Sequence, residues 1–180
     1  MSLKDDYLSQ VRQARTDHKK WVNQIRVIVS GLQNDKNIIA LNPSEDSFGM
    51  WLYSKAMAYS ISNSKLVLND MESLFDACYN QYHKIYAVLF KEESGSIFSS
   101  LFGSKKASIS DYKLANQYYE ILLEKSDQLL NKLRIFENQL TATNFEKFES
   151  VLSSEQNSVK EEITPKKKEQ RYYRGSLIEN

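Results

Sequence analysis

Ring-bearing and aliphatic residues recur early in the chain at spacings of 4, 3, 4, 3, 4, 3 and 4: Tyr7, Val11, Ala14, His18, Trp21, Ile25, Ile28 and Leu32. That heptad rhythm predicts one long amphipathic helix with a single buried stripe, ending near Gly31–Asn34. His18 and Trp21 stand on the stripe, whereas Asp17 and Lys19 beside it are expected in solvent. The rhythm returns in Leu68, Met71, Phe75, Cys78, Tyr82, Ile85 and Leu89, which predict a helix over 63–90. Tyr79, His83, Tyr86 and Phe90 form a second row that widens its buried face. Ser62, Asn63 or Ser64 is its expected N-cap. A third stripe, Ala115, Tyr119, Leu122, Ser126, Leu129, Leu133, Phe136 and Leu140, predicts a helix capped by Ser110, with Asp111 in its first turn. That helix runs to about Thr143 and resumes through Phe145, Phe148, Val151 and Leu152.

The intervening segments read differently. Residues 34–44 are rich in Asn and closed by Pro43, as a connection would be. Ser44 or Asp46 caps a short helix over 47–59 that turns Trp51 and Leu52 inward and Lys55 outward. Gly49 within it allows another helix to approach closely. Residues 92–108 form a connection with an apolar patch of Ile97, Phe98, Leu101 and Phe102. From residue 153 the apolar period fades, so 153–180 reads as a charged tail or linker. The fold class expected is all-α, with an antiparallel four-helix bundle over residues 4–150.

Composition narrows the function. Two prolines and five glycines in 180 residues favour long helices over a turn-rich β fold. A net charge of +1 argues against a dedicated nucleic-acid binder, which needs a basic surplus to displace counterions. One cysteine, Cys78, rules out an intrachain disulfide framework and suits a reducing cytoplasm. No apolar run is long enough to span a membrane, and the first residues lack a signal-peptide apolar region. No Gly-rich phosphate loop or Ser/His/Asp arrangement is present, so an enzyme is not expected.

The chain has two histidines, His18 and His83. A histidine on a core stripe is most often a hydrogen-bonded core residue. Tyr79 and His83, however, lie one turn apart on one helix face, a spacing at which two side chains can converge on a metal. Between the two histidines lies Asp46-Ser47-Phe48-Gly49-Met50-Trp51-Leu52-Tyr53, the densest cluster of unusual residues in the chain.

His18-Lys19-Lys20-Trp21, Phe48-Gly49-Met50-Trp51-Leu52-Tyr53 and Tyr79-Asn80-Gln81-Tyr82-His83 together resemble the chemoreceptor zinc-binding (CZB) domain of bacterial signalling proteins. The resemblance covers residues 17–87. That family carries His-x-x-Trp on one helix, Cys-x-Phe/Leu-Gly-x-Trp-hydrophobic-Tyr on a short second helix and His-x-x-x-His on a third. It binds zinc through three histidines and the cysteine. Carried over, His18 and His83 match two ligands, while Asp46 stands at the cysteine position and Tyr79 at the third histidine. Zinc is then the candidate metal and iron a poorer one.

Three arrangements stay open. His18, Asp46 and His83 hold a metal, with water or Tyr79 as fourth ligand. Alternatively Cys78 supplies a thiolate after local distortion of its helix. In the third arrangement, the favoured one, the four residues form a metal-free network in which Asp46 raises the imidazole pKa values and makes a pH switch. The resemblance implies a cytoplasmic regulatory or sensory module that signals through a homodimer, or through a chemoreceptor or diguanylate cyclase partner. The alternative is an adaptor bundle that recruits a partner through residues 92–108 or the basic cluster Lys166, Lys167, Lys168, Arg171, Tyr172, Tyr173 and Arg174.

Overall fold

A computed structural model describes residues 2–59, 62–90, 107–144, 146–147, 149–150, 172–173 and 176–177. Among the described residues the fold is all-α but for one antiparallel pair of two-residue strands, β1 (Tyr172–Tyr173) and β2 (Ser176–Leu177). The apolar patch of Ile97, Phe98, Leu101 and Phe102 lies outside the described residues. So do Phe145, Phe148, Val151, Leu152 and, apart from the strand pair, the 153–180 segment with its basic cluster.

Helix α1 (Leu3–Val29) opens with a capping box: the Ser2 hydroxyl accepts from the Asp5 amide and the Asp5 carboxylate from the Ser2 amide, both at 3.1 Å. It closes on Gly31, whose φ of +74° only glycine adopts without strain. The Gly31 amide donates to Ile28 O and the Leu32 amide to Val27 O, which satisfies two terminal carbonyls. Tyr7 through Ile28 of the stripe are buried as expected. Leu32 is 82% exposed, because the chain has already reversed at Gly31.

The short helical region begins with a 3-10 turn at Pro43–Glu45, capped by Asn42. Helix α2 (Ser47–Trp51) follows, with Asp46 as its N-cap. The helix then widens into a π turn over Leu52–Ala56, where the Met57 amide reaches back five residues to Leu52 O. It tightens again at Met57–Tyr59. Phe48, Trp51, Leu52, Ala56 and Tyr59 are buried, and Lys55 is exposed. The loosened turn is held from outside: the Tyr7 hydroxyl donates to the Lys55 carbonyl.

Helix α3 (Ser62–Leu89) takes Ser62, Asn63 and Ser64 inside its first turn, so none of them is the N-cap. Its main stripe is buried throughout. Of the second row only Tyr79 is buried; Tyr86 and Phe90 are half-buried, and His83 is exposed. Helix α4 (Ile109–Ala142) is capped by Ser108, two residues before Ser110, because Ser108 and Asp111 form a capping box. All eight expected stripe positions on α4 are buried. Residues 146–147 and 149–150 are helical again after the break at Thr143.

Contacts between helices fix their directions. Lys4 caps the end of α4 by donating to the Thr141 carbonyl at 2.8 Å and to that of Thr143, while Asn116 donates to Val29 O at 3.2 Å. Helices α1 and α4 therefore run antiparallel. Ser64 bonds Gln139, Asp70 pairs with Lys132 at 2.7 Å, and Lys84 sits over the Tyr118 ring, so α3 and α4 are also antiparallel. Phe48 meets His18 and Tyr59 meets Tyr7, which runs the α2 region opposite to α1.

Candidate functional site

The three motif segments of the resemblance converge in the core. His18 and Trp21 come from α1, Phe48, Gly49 and Trp51 from α2, and Phe75 and Tyr79 from α3. Ring centroids are 5.2 Å apart for His18–Phe48, 4.9 Å for Phe48–Phe75 and 5.6 Å for Phe48–Trp51. His18 stacks near Trp21 at 5.7 Å, Trp21 stacks on Tyr79 at 5.0 Å, and Tyr79 meets His83 edge-on at 5.9 Å. Two aromatic rings thus stand in line between the two imidazoles.

Gly49 makes this convergence possible. A Cβ on it would lie 1.9 Å from the Pro43 carbonyl oxygen and 3.1 Å from the Phe75 ring. What the glycine admits is therefore the backbone of the preceding turn, with Phe75 of α3 behind it.

Each of the four candidate ligands has its own surroundings. His18 is fully buried, and its Nε2 lies 2.9 Å from the Ser126 hydroxyl of α4. Burial pushes its pKa down to about 4, because the aromatic shell removes the water that would solvate an imidazolium. The raised value expected for His18 beside a buried carboxylate does not arise here. Asp46 spends Oδ1 on the amides of Phe48 (2.8 Å) and Gly49 (3.4 Å) as the α2 cap. Partial burial raises its pKa against the pull of those two amides.

Tyr79 is 2% exposed, and its hydroxyl does not bond His83; it lies beside the Trp21 indole. Burial, then the Asp46 charge, hold that phenol well above its ordinary value. His83 is exposed and reaches the Leu41 carbonyl through Nε2 at 2.7 Å, while its neighbour Tyr82 donates to Ile39 O at 3.3 Å. These two residues strap the connection between α1 and α2 to α3.

The four candidate ligands do not meet at one point: the Trp21 and Tyr79 rings stand between the two imidazoles. Among the described residues no three His, Cys, Asp or Glu side chains gather as a metal shell. A tyrosinate ligand would need a proton removed that burial and Asp46 both retain. Cys78, the alternative donor, is buried at the α3–α4 seam with its sulfur 4.0 Å from Leu122 O, and burial pushes its thiol up to about 12.

Ser126 is the residue that sequence reasoning passed over as a site member. Its signal was present: a hydroxyl on an otherwise apolar core stripe, which needs a polar partner inside the bundle. Among the described residues no helix is long and apolar enough to cross a membrane. No family model, curated protein or solved structure matches the chain.

Proposed function

We propose that this chain is a non-catalytic cytoplasmic regulatory module on the CZB plan, an antiparallel four-helix bundle whose zinc shell has been replaced by a packed aromatic core. The supporting observation is the convergence of His18, Trp21, Phe48, Gly49 and Trp51 on one place in the core. Residues at the resemblance's motif positions meet there, as the plan requires, while the ligand positions carry other duties. Asp46 caps a helix, His83 straps a connection and His18 bonds Ser126. Such a module passes its signal by contact, to a second copy of itself or to a chemoreceptor or diguanylate cyclase partner.

One observation favours recognition over proton sensing. His18 is fully buried and bonded to Ser126, surroundings that disfavour its charged form, so a bundle read by its surface agrees better with the core than a neutral-range pH switch.

The test is metal analysis of the purified, untagged chain before and after chelation, with sedimentation velocity on the same samples. The reading expects no stoichiometric zinc or iron and an assembly state and helicity that chelation leaves unchanged. One zinc per chain, lost together with helicity on chelation, would replace this reading with a working metal sensor.

A further inference from the structure

Helix α4 carries a second row of side chains that the core does not use. Leu114, Ile121, Gln128 and Ile135 follow one another every seven residues, and the three aliphatic ones are 37–42% exposed. The flanks that α1 and α2 occupy lie elsewhere. Asn116 and Glu137 of α4 turn towards α1, where they bond Val29 O and Arg12. On α3, Tyr79 and His83 turn towards Trp21 and the Leu41 carbonyl. The opposite flank of α3 holds half-buried Leu74, Ala77 and Val88. There Asp70 pairs with Lys132 at 2.7 Å and Lys84 lies over the Tyr118 ring. Midway between those two contacts, Ala77 stands level with Lys125. Among the described residues the exposed row marks a face of the α3–α4 pair that no other helix covers.

We infer that this face docks a second copy of the chain, about a two-fold axis that crosses α3 at Ala77 and α4 between Glu124 and Lys125. It rests on the functional reading above, in which the module signals by contact, and adds the surface. A two-fold interface must be complementary to itself. Rotation about this axis lays each helix antiparallel against its own copy. Asp70 and Lys84 stand seven residues either side of Ala77, so each Asp70 meets Lys84 of the second copy. Glu124 and Lys125, both exposed in part, exchange charges across the axis in the same way. Leu114 lies over Ile135 of the second copy, and the small Ala77 lets the two α3 helices approach. Size agrees as well. The row from Leu114 to Ile135 is about 32 Å long and the helix pair roughly 20 Å wide, so about 600 Å² of each copy is covered, the lower end of what stable interfaces bury.

The experiment is sedimentation velocity of the full chain over a range of concentrations, with circular dichroism to confirm that each variant keeps its helices. The parent chain is expected to dimerise. Ile121→Glu puts a charge on an exposed position near the axis, so it should leave the fold intact and weaken the dimer more than about tenfold. Asp70→Lys and Lys84→Asp each set like charges against each other across the axis, and each alone should weaken self-association. Mixed together, the two variants regain both ion pairs and should form a heterodimer, a rescue that a merely structural role for either residue would not produce. A parent chain that stays monomeric, its face left to some other occupant, overturns the inference. So does a dimer that Ile121→Glu leaves unchanged, or a mixture that associates no better than its two components. Each of these outcomes overturns this inference alone, whereas stoichiometric zinc in the parent sample overturns the functional reading.

Discussion

His18 Nε2 and Ser126 Oγ meet at 2.9 Å across the α1–α4 seam, inside a shell of Trp21, Phe48 and Phe75. This pair makes the protein's acid response specific. The imidazole titrates near pH 4 when folded and near 6.5 when unfolded, so between those values the unfolded chain binds more protons. Stability from this residue is complete above pH 6.5 and falls as pH drops towards 4. Lost completely, this contribution is on the order of 3 kcal/mol. Urea midpoints measured from pH 7.5 to 4.5 should fall in the parent chain. In His18→Gln that slope should flatten, with lower stability at neutral pH. An equal slope in both would mean that other groups carry the acid response.

Gly49 gives the sharpest mutational test. An alanine methyl would sit 1.9 Å from Pro43 O, against backbone that belongs to the Asn42-capped turn. Either that turn or α2 must move, which costs about 1–3 kcal/mol and displaces Phe48 and Trp51. Gly49→Ala should lower the melting temperature and shift the tryptophan emission. Gly31→Ala is the useful contrast. Its Cβ would touch only the Tyr112 ring at 3.4 Å, so the cost comes from φ +74° alone and is about 1 kcal/mol. A Gly49 variant no worse than the Gly31 variant would show that the turn gives way easily.

Much of this fold was legible because heptad spacing and burial are the same fact seen twice. Every stripe residue named on α4, and every one on α1 as far as Ile28, is buried. Leu32 failed because the pattern carried no information about the αL turn at Gly31. Ser110 failed as a cap because two serines stand two apart, and only Ser108 has Asp111 three residues on. The π turn at Leu52–Ala56 left no mark in the pattern, since a wider turn does not alter which neighbours are apolar. The site was legible as a place and not as a chemistry. Motif residues marked where the helices meet, but rotamers and backbone acceptors decided that His83 bonds Leu41 O rather than Tyr79.

Glu137 ties α4 to α1 by accepting from Arg12 at 2.8 Å and from Arg15. Burial works against its charge, but the hydrogen bonds from Arg12 and Arg15 prevail and hold its carboxyl below the ordinary value. Stability from this group is present above pH 4.5 and fades as pH falls below it. Arg12 is 64% exposed, so the pair is well screened and Glu137→Gln should cost only about 0.5–1 kcal/mol. Denaturation in low and high salt checks this: the loss should shrink as salt rises. A loss of several kcal/mol that salt does not touch would mean packing, rather than charge, holds the two helices there.

Asp46 separates a helix cap from a metal ligand. Its Oδ1 serves the Phe48 and Gly49 amides, a duty that asparagine or serine performs nearly as well and alanine does not. Asp46→Ala should therefore cost about 1 kcal/mol, while Asp46→Asn stays within a few tenths of the parent. A ligand would rank the same variants differently. Asparagine is a neutral and far weaker donor than carboxylate, so a zinc-holding Asp46 would make Asp46→Asn as damaging as Asp46→Ala, and both would lose metal. Thermal denaturation of the three chains with and without added zinc distinguishes the cases. The cap predicts that asparagine tracks the parent and that zinc moves none of the curves. If zinc raised the parent's midpoint and not that of Asp46→Asn, the carboxylate would be a ligand and the helix-cap account of this residue would be incomplete.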